Sequence, residues 1–255
     1  MNAGRWERAA EQYARGEHRS GADLDLAVEF AEPKGTERAL DVGSGGGHMA
    51  LALSSRVNSV VLTDPVRAML VASRRIFQEA GRTNAEFVSA AAERLPFATA
   101  TFDIVSSRLA AHHFEDLDVA WQEIKRVLKP SGIFVLVDTV APDDIESAAF
   151  LHEVETLRDP THRHTLSRDQ WLRLTEFNGF RVRRTEVVRK AHDFEPWLKR
   201  GGEDAATMAR VRARFAGAPA TAKNALDIVL REGVVSSFTD SKLVICAAVQ
   251  RRSAR

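Results

Sequence analysis

Asp41-Val42-Gly43-Ser44-Gly45-Gly46-Gly47-His48 is a stretch whose residue types and spacing suit a small-ligand cradle. Glycines remove the Cβ atoms that would hold the backbone away from a nucleotide-like ligand. Many tight turns share such a pattern, so its neighbours matter. Asp41 precedes the glycines, and a carboxylate there would repel a pyrophosphate crossing the turn but would suit an ammonium group. His48 stands where a dinucleotide fingerprint has its third glycine. Asp64 lies 23 positions after Asp41, close to the roughly 20-residue spacing at which a carboxylate accepts from ribose hydroxyls. Pro65 follows it and opens a helical pattern, so Asp64 also reads as a helix cap, and the two roles are compatible.

The ligand that fits these carboxylates carries an ammonium and no phosphate. S-adenosylmethionine meets that description and NAD does not. Chemistry on such a ligand needs an aligned nucleophile and, for a hydroxyl or acidic carbon, a base. His112 and His113 are the candidates, because they follow an apolar strand and histidine titrates near neutrality. Packing against, or capping of, the following helix is the alternative for either one. Farther on, His152, Asp159, His162, Arg163 and His164 form a polar cluster. It lacks the Cys or carboxylate set of a zinc motif, so no metal is expected. It reads as a substrate-facing lid (His152, His162 and Arg163) or as a solvated loop. Trp197 is a candidate wall of an acceptor pocket, or plain core.

Alternating strand and helix signals position these residues. Strands are expected at 37–42, 58–63, 85–89, 102–107 and 133–138, with helices at 48–56, 65–80 and 114–128 between them. Strands apolar on both faces and separated by helices imply a parallel sheet covered on both sides, an α/β doubly wound fold. Beyond Asp138 the rhythm changes. Helices are expected near 145–157 and at 167–178, where Ser167 and Gly179 bracket the pattern. Strands are expected at 180–190 and 242–250, which brings the sheet to a mostly parallel, seven-stranded one. The chain thus reads as a single domain over 1–255: an N-terminal helical segment (1–36), a cofactor-binding core (37–140), and helical substrate-side cap segments at 141–178 and 191–238.

Thirty-six Lys and Arg balance thirty-five Asp and Glu, for a net charge of +1, so no global field draws in nucleic acid or an anionic membrane. The basic string Arg181–Lys190 alternates with valines and reads as a solvated strand face. The single cysteine, Cys246, excludes an internal disulfide, and its apolar surroundings suit an inert buried thiol. No apolar run reaches the ~18–20 residues that span a bilayer, and the N-terminus lacks a signal-like apolar core, so a cytoplasmic location is expected. Nothing in the sequence sets an oligomeric state.

The strings ALDVGSGGGHMA, VVLTDPVRAML, AAERLPF, FDIVSSRLAAHHF and EIKRVLKPSGIFVLVD occur in that order between residues 39 and 138. Together they resemble the ubiquinone/menaquinone-biosynthesis-like family of class I S-adenosylmethionine-dependent methyltransferases, whose sheet is seven-stranded and Rossmann-like. No Asn-Pro-Pro-aromatic string of nucleic-acid amino-methyltransferases follows the fourth strand. The resemblance implies that Asp41, Gly43, Ser44 and Gly45 hold the methionine end of the cofactor and Asp64 the ribose. It further implies that Pro65 and Met69 wall the adenine, that Ala92 and Glu93 lie at its edge, and that Ser107 and Arg108 face the sulfonium. One position departs: Ala91 stands where the family usually has an aspartate that accepts from the adenine amino group. That loss is worth about 0.5–1.5 kcal/mol. The expected function is methyl transfer to a small-molecule acceptor whose O, C or N nucleophile no motif names. A cofactor-binding protein with little turnover is the alternative, and an NAD-dependent oxidoreductase a more distant one.

Overall fold

The computed structural model describes residues 3–16, 19–200 and 204–250. Among these residues eight strands form one sheet: β1 (Arg38–Val42), β2 (Ser59–Thr63), β3 (Ala85–Val88), β4 (Phe102–Arg108), β5 (Leu128–Val140), β6 (Phe180–Asp193), β7 (Val229–Arg231) and β8 (Val234–Val249). The main path runs β3-β2-β1-β4-β5-β8-β6, with β7 paired on β8. Strands β1 to β5 are parallel, whereas β8 runs antiparallel to its neighbours β5, β6 and β7. Successive strands travel outward in opposite directions from the β1–β4 pair. The carboxyl ends of β1 and β4 therefore flank the topological switch point, where open α/β sheets bind ligands.

Strand alternation splits the core into two layers. Leu40, Val42, Val105, Phe134 and Leu136 face one side, with Trp121 of α5 (Leu117–Val127) and Trp171 of α7 (Arg168–Phe177). Ala39, Ile104, Val135 and Val137 face the other, beneath α2 (Ala22–Phe30), α3 (His48–Ser54) and α4 (Arg67–Glu79). Helix α1 (Ala3–Ala14) packs on α4 through Ala10, Ala14, Met69 and Ile76. A separate apolar cluster of Phe150, Phe194, Trp197, Phe215 and Phe238 joins α6 (Ile145–Arg158), α8 (Phe194–Lys199), α9 (Ala205–Ala216) and α10 (Ala220–Ala225) to the start of β8.

Three expectations need correction. The segment 191–238 is not helical throughout: β6 continues to Asp193, and a β7–β8 hairpin occupies its end. The hairpin turns through Glu232 and Gly233, both at positive φ (51° and 81°). That is the two-residue turn geometry normally announced by Asn-Gly or Asp-Gly, and Glu in first place hid it. The hairpin adds the eighth strand. Helix α7 lies on the sheet rather than among the cap helices, its Trp171 stacked on Trp121 at 6.0 Å between ring centroids. Finally, the helix expected from Phe114 starts at Leu117, because Asp116 caps it by accepting the Val119 N–H at 3.0 Å. The expected segments 1–36 and 191–238 also include residues 1, 2, 17, 18 and 201–203, which lie outside the described ones.

Candidate active site

Asp41 is the penultimate residue of β1, 1% exposed. Its Oδ1 accepts the Ser106 hydroxyl at 2.7 Å, and its Oδ2 has no hydrogen-bond partner. Burial pushes its carboxyl up to about 7, against the opposing pull of Ser106 and the Ala50 backbone. The chain then turns sharply: Gly43 sits at φ 67°, and a Cβ there would meet the Ala110 Cβ at 2.6 Å. Asp64 secures the turn from β2, its Oδ2 accepting the Gly45 N–H at 2.9 Å and its Oδ1 the Val66 N–H at 2.8 Å. Burial pushes Asp64 up to about 6, opposed by those two bonds. Because Val66 rather than Asp64 caps α4, the carboxylate serves the turn and not the helix. His48 is buried, its Nε2–H donating to the Ala14 carbonyl at 2.7 Å, which ties α1 to the glycine turn.

Gly43, Gly45, Asp64, Pro65, Met69, Ala91, Ala92 and Glu93 line one cavity, and Asp41, Ser44 and Arg108 line a small polar pocket beside it that also reaches Gly43 and Gly45. Ser107 is the exception among the anticipated cofactor residues. Since Ser106 faces Asp41, alternation turns Ser107 to the other side of β4, where it is fully buried and lines neither space. Arg108 is buried and pairs with Asp23 of α2 at 2.7 Å. Glu93 Oε1 accepts the Glu115 N–H at 2.7 Å, which links the loop after β3 to the entrance of α5.

A second, strongly polar compartment adjoins the first, and the two share Trp6, Tyr13, Leu109 and His113. Leu109 holds φ 54°, a left-handed conformation that costs a branched residue energy and is concentrated at functional sites. Just after it, a short 3₁₀ turn (Ala111–His113) presents both histidines. His112 donates from Nδ1 to Asp138 Oδ1 at 2.6 Å, and its backbone N–H reaches Oδ2 at 3.2 Å. Burial works to lower the His112 pKa, but the Asp138 carboxylate outweighs it and holds the ring above its ordinary value. His113 instead faces the Thr161 carbonyl, with Nδ1 donating at 3.1 Å. Burial, aided by the charge of His112, pushes it down to about 3. His162 also lines this compartment and is pushed down to about 4 by burial. Trp197 lines it from the edge of the cap's apolar cluster, where it is part of the core.

His152 and Arg163 do not belong here. Both are exposed; His152 bonds Thr165 at 3.0 Å, and Arg163 lies 3.7 Å from Glu115. A residue's place in a polar string does not say which of its neighbours turns inward. Sequence reasoning also missed Tyr13, Ser106, Asp138, Glu155, Arg158, Asp240 and Lys242. Asp138 alone carried a usable signal, since like Asp41 it is a carboxylate near the end of an apolar strand. Among the described residues no group of three or more His, Cys, Asp or Glu is placed to hold a metal ion, and no helix is long and apolar enough to cross a membrane.

A family model described as "Methyltransferase domain" matches residues 40–136, from β1 into β5. The uncharacterized methyltransferase YcgJ of Bacillus subtilis is 37% identical over 185 residues, covering 72% of this chain and 73% of that protein. The chain belongs to the S-adenosylmethionine-dependent methyltransferases. This methyltransferase also resembles the crystal structure of YcgJ at a TM-score of 0.85 and 32% identity, over 90% of this chain and 99% of that one. A malonyl-[acyl-carrier protein] O-methyltransferase of Methylovorus is 37% identical over 132 residues, 49% of the methyltransferase and 43% of that relative. The cofactor is S-adenosylmethionine.

Proposed function

We propose that this methyltransferase acts on a small-molecule acceptor bound in the polar compartment, with His112 taking the acceptor's proton. The supporting observation is the shared wall: Leu109, His113, Tyr13 and Trp6 border both the glycine-turn cavity and the compartment that contains His112.

The residues present fit the cofactor. Asp41 Oδ2 is a buried, unpartnered acceptor suited to an ammonium group, and Gly43 and Gly45 bring bare backbone to the cavity wall. A guanidinium repels a sulfonium, so Arg108 beside Asp41 suits the carboxylate of the same amino-acid moiety. Asp64 suits the ribose hydroxyls, and Pro65, Met69, Ala91, Ala92 and Glu93 the adenine. When bound, the cofactor supplies a methyl group already activated on sulfur, so alignment and exclusion of water carry most of the rate. Asp138 fixes the His112 tautomer through Nδ1, leaving Nε2 as the site for the acceptor proton. Trp6 and Tyr13 of α1 line both spaces, Trp6 Nε1 donating to Thr161 Oγ1 at 3.2 Å. The segments that line the compartment from α6 and from 192–200 then act as a substrate-side cap.

The test is release of adenosylhomocysteine from labelled S-adenosylmethionine over a panel of hydroxylated, aminated and quinol acceptors. Turnover on a member of the panel that is lost in His112→Ala, with adenosylhomocysteine affinity unchanged, is the expected result. Binding of S-adenosylmethionine with no turnover on any acceptor contradicts the proposal.

A further inference from the structure

The walls of the polar compartment hold more information than proton removal requires. Arg158, Arg200 and Lys242 line it, and so do Glu155, Asp159 and Asp240. The fixed charges thus cancel, three against three. Glu155 and Arg158 lie 2.7 Å apart, as do Asp240 and Lys242, and the Lys242 ammonium also donates to Thr139 Oγ1 at 2.8 Å. A charged acceptor entering such a space would bring a charge with no counter-ion, and an apolar one would leave the polar wall groups facing carbon. Both are costly in a buried site. An uncharged hydroxyl, with one donor and two lone pairs, meets either kind of wall group.

Two buried polar atoms of wall residues stand open to that chemistry. Asp240 Oδ1 and His192 Nδ1 have no hydrogen-bond partner, although both residues are only 2% exposed. Asp240 is held in place from its other oxygen by Lys242, and His192 by stacking on Phe238 at 5.0 Å between ring centroids. Buried polar atoms left open in this way call for a partner, either a ligand group or an ordered water.

We propose that the acceptor is a small, uncharged, polyhydroxylated molecule of the sugar or cyclitol kind, with one hydroxyl beside His112 and another donating to Asp240 Oδ1. This inference rests on the methyl-transfer reading above. The acceptor oxygen's lone pair forms the new O–CH₃ bond as the C–S bond breaks, its electron pair staying on sulfur. The hydroxyl proton passes to His112 Nε2 and then to solvent. The products are a methyl ether and adenosylhomocysteine.

The test compares four arms on the full-length protein: myo-inositol and methyl α-glucoside, glucuronate, glucosamine, and menadiol. Adenosylhomocysteine release and a new methoxy proton resonance are expected in the neutral polyol arm, with kcat/KM at least tenfold above the other arms. Asp240→Asn is expected to raise KM for the polyol roughly tenfold or more, the loss of a hydrogen bond to a charged group. The loss is carried by KM rather than kcat, and adenosylhomocysteine affinity stays at the wild-type value. Should Asp240→Asn fail to fold, Asp240→Glu, which keeps the charge and moves the oxygen, is expected to raise KM likewise. Preferred turnover of glucuronate, glucosamine or menadiol overturns the acceptor class while methyl transfer stands. Release in no arm overturns both, and an unchanged KM in a folded Asp240 variant overturns the role of Asp240.

Discussion

Ser106 and Asp41 stand directly opposite each other across the β1–β4 pair, and the serine hydroxyl donates to one carboxylate oxygen at 2.7 Å while the other stays unpartnered. The bond fixes the carboxylate's rotation without satisfying it, which leaves a buried acceptor at the switch point of the sheet. With its carboxyl pushed up to about 7, Asp41 is partly protonated at pH 7 in the free protein. Pairing with an ammonium requires the ionised form. Binding of adenosylhomocysteine at pH 7 is therefore expected to release protons, with a smaller share from Asp64, pushed up to about 6. Calorimetry in phosphate and in Tris, buffers with different ionisation enthalpies, reads that release. Identical heats in the two buffers at pH 7 would speak against the pairing.

Asp64 holds two backbone N–H groups and, in this reading, the ribose. Asp64→Ala is expected to weaken adenosylhomocysteine by about 1–3 kcal/mol, with a similar loss for methylthioadenosine, which keeps the ribose. A folded variant with wild-type affinity for both removes Asp64 from the site.

His112 must be neutral to accept a proton, and Asp138 raises its pKa. Activity is thus expected to climb with pH through a value above the ordinary 6.5 of histidine. In Asp138→Asn the raising charge is gone, so the climb should move to lower pH while kcat falls. A pH profile of kcat that keeps its midpoint in the variant would count against the pairing as the source of the base.

Asp23 and Arg108 form a buried ion pair, with side chains 2% and 5% exposed. Burial works to raise the Asp23 carboxyl, but Arg108 and Lys190 outweigh it and hold the pKa below the usual range. A depressed carboxyl stabilises the fold above its unfolded value near 3.8, and that contribution is lost as pH falls through the folded value. Asp23→Asn is expected to cost about 3–5 kcal/mol at pH 7, since it leaves a buried guanidinium uncompensated. In urea titrations the gap to wild type should narrow below about pH 4; a gap that persists there would point to packing instead.

The sequence disclosed the cradle well because its signal is local. Asp41, the glycines and Asp64 lie in two short strand-to-turn segments, and strand alternation does the rest. The same alternation explains the failure at Ser107: the segment was legible, but which of two adjacent serines faces Asp41 depends on the β1–β4 register. The polar compartment was poorly legible because it is assembled from α1, the 3₁₀ turn, α6, residues 192–200 and β8, elements far apart in the chain. His152 and His162 sit in one string, yet only His162 turns inward. Asp240 went unseen because the stretch before Lys242 is polar, which resembles a loop until its partner β6 is known, and Lys242, inside the expected strand, gave no sign of facing the compartment.

Selection of an amino-acid-bearing nucleoside by Asp41 is read out by comparing adenosylhomocysteine with methylthioadenosine, which lacks the ammonium and carboxylate. Titrated at pH 8, the wild-type protein is expected to bind adenosylhomocysteine more tightly, and Asp41→Asn to lose roughly 10- to 150-fold of that preference, the worth of a charged hydrogen bond. Equal affinity for the two ligands in the wild type, or an undiminished preference in folded Asp41→Asn, would contradict it.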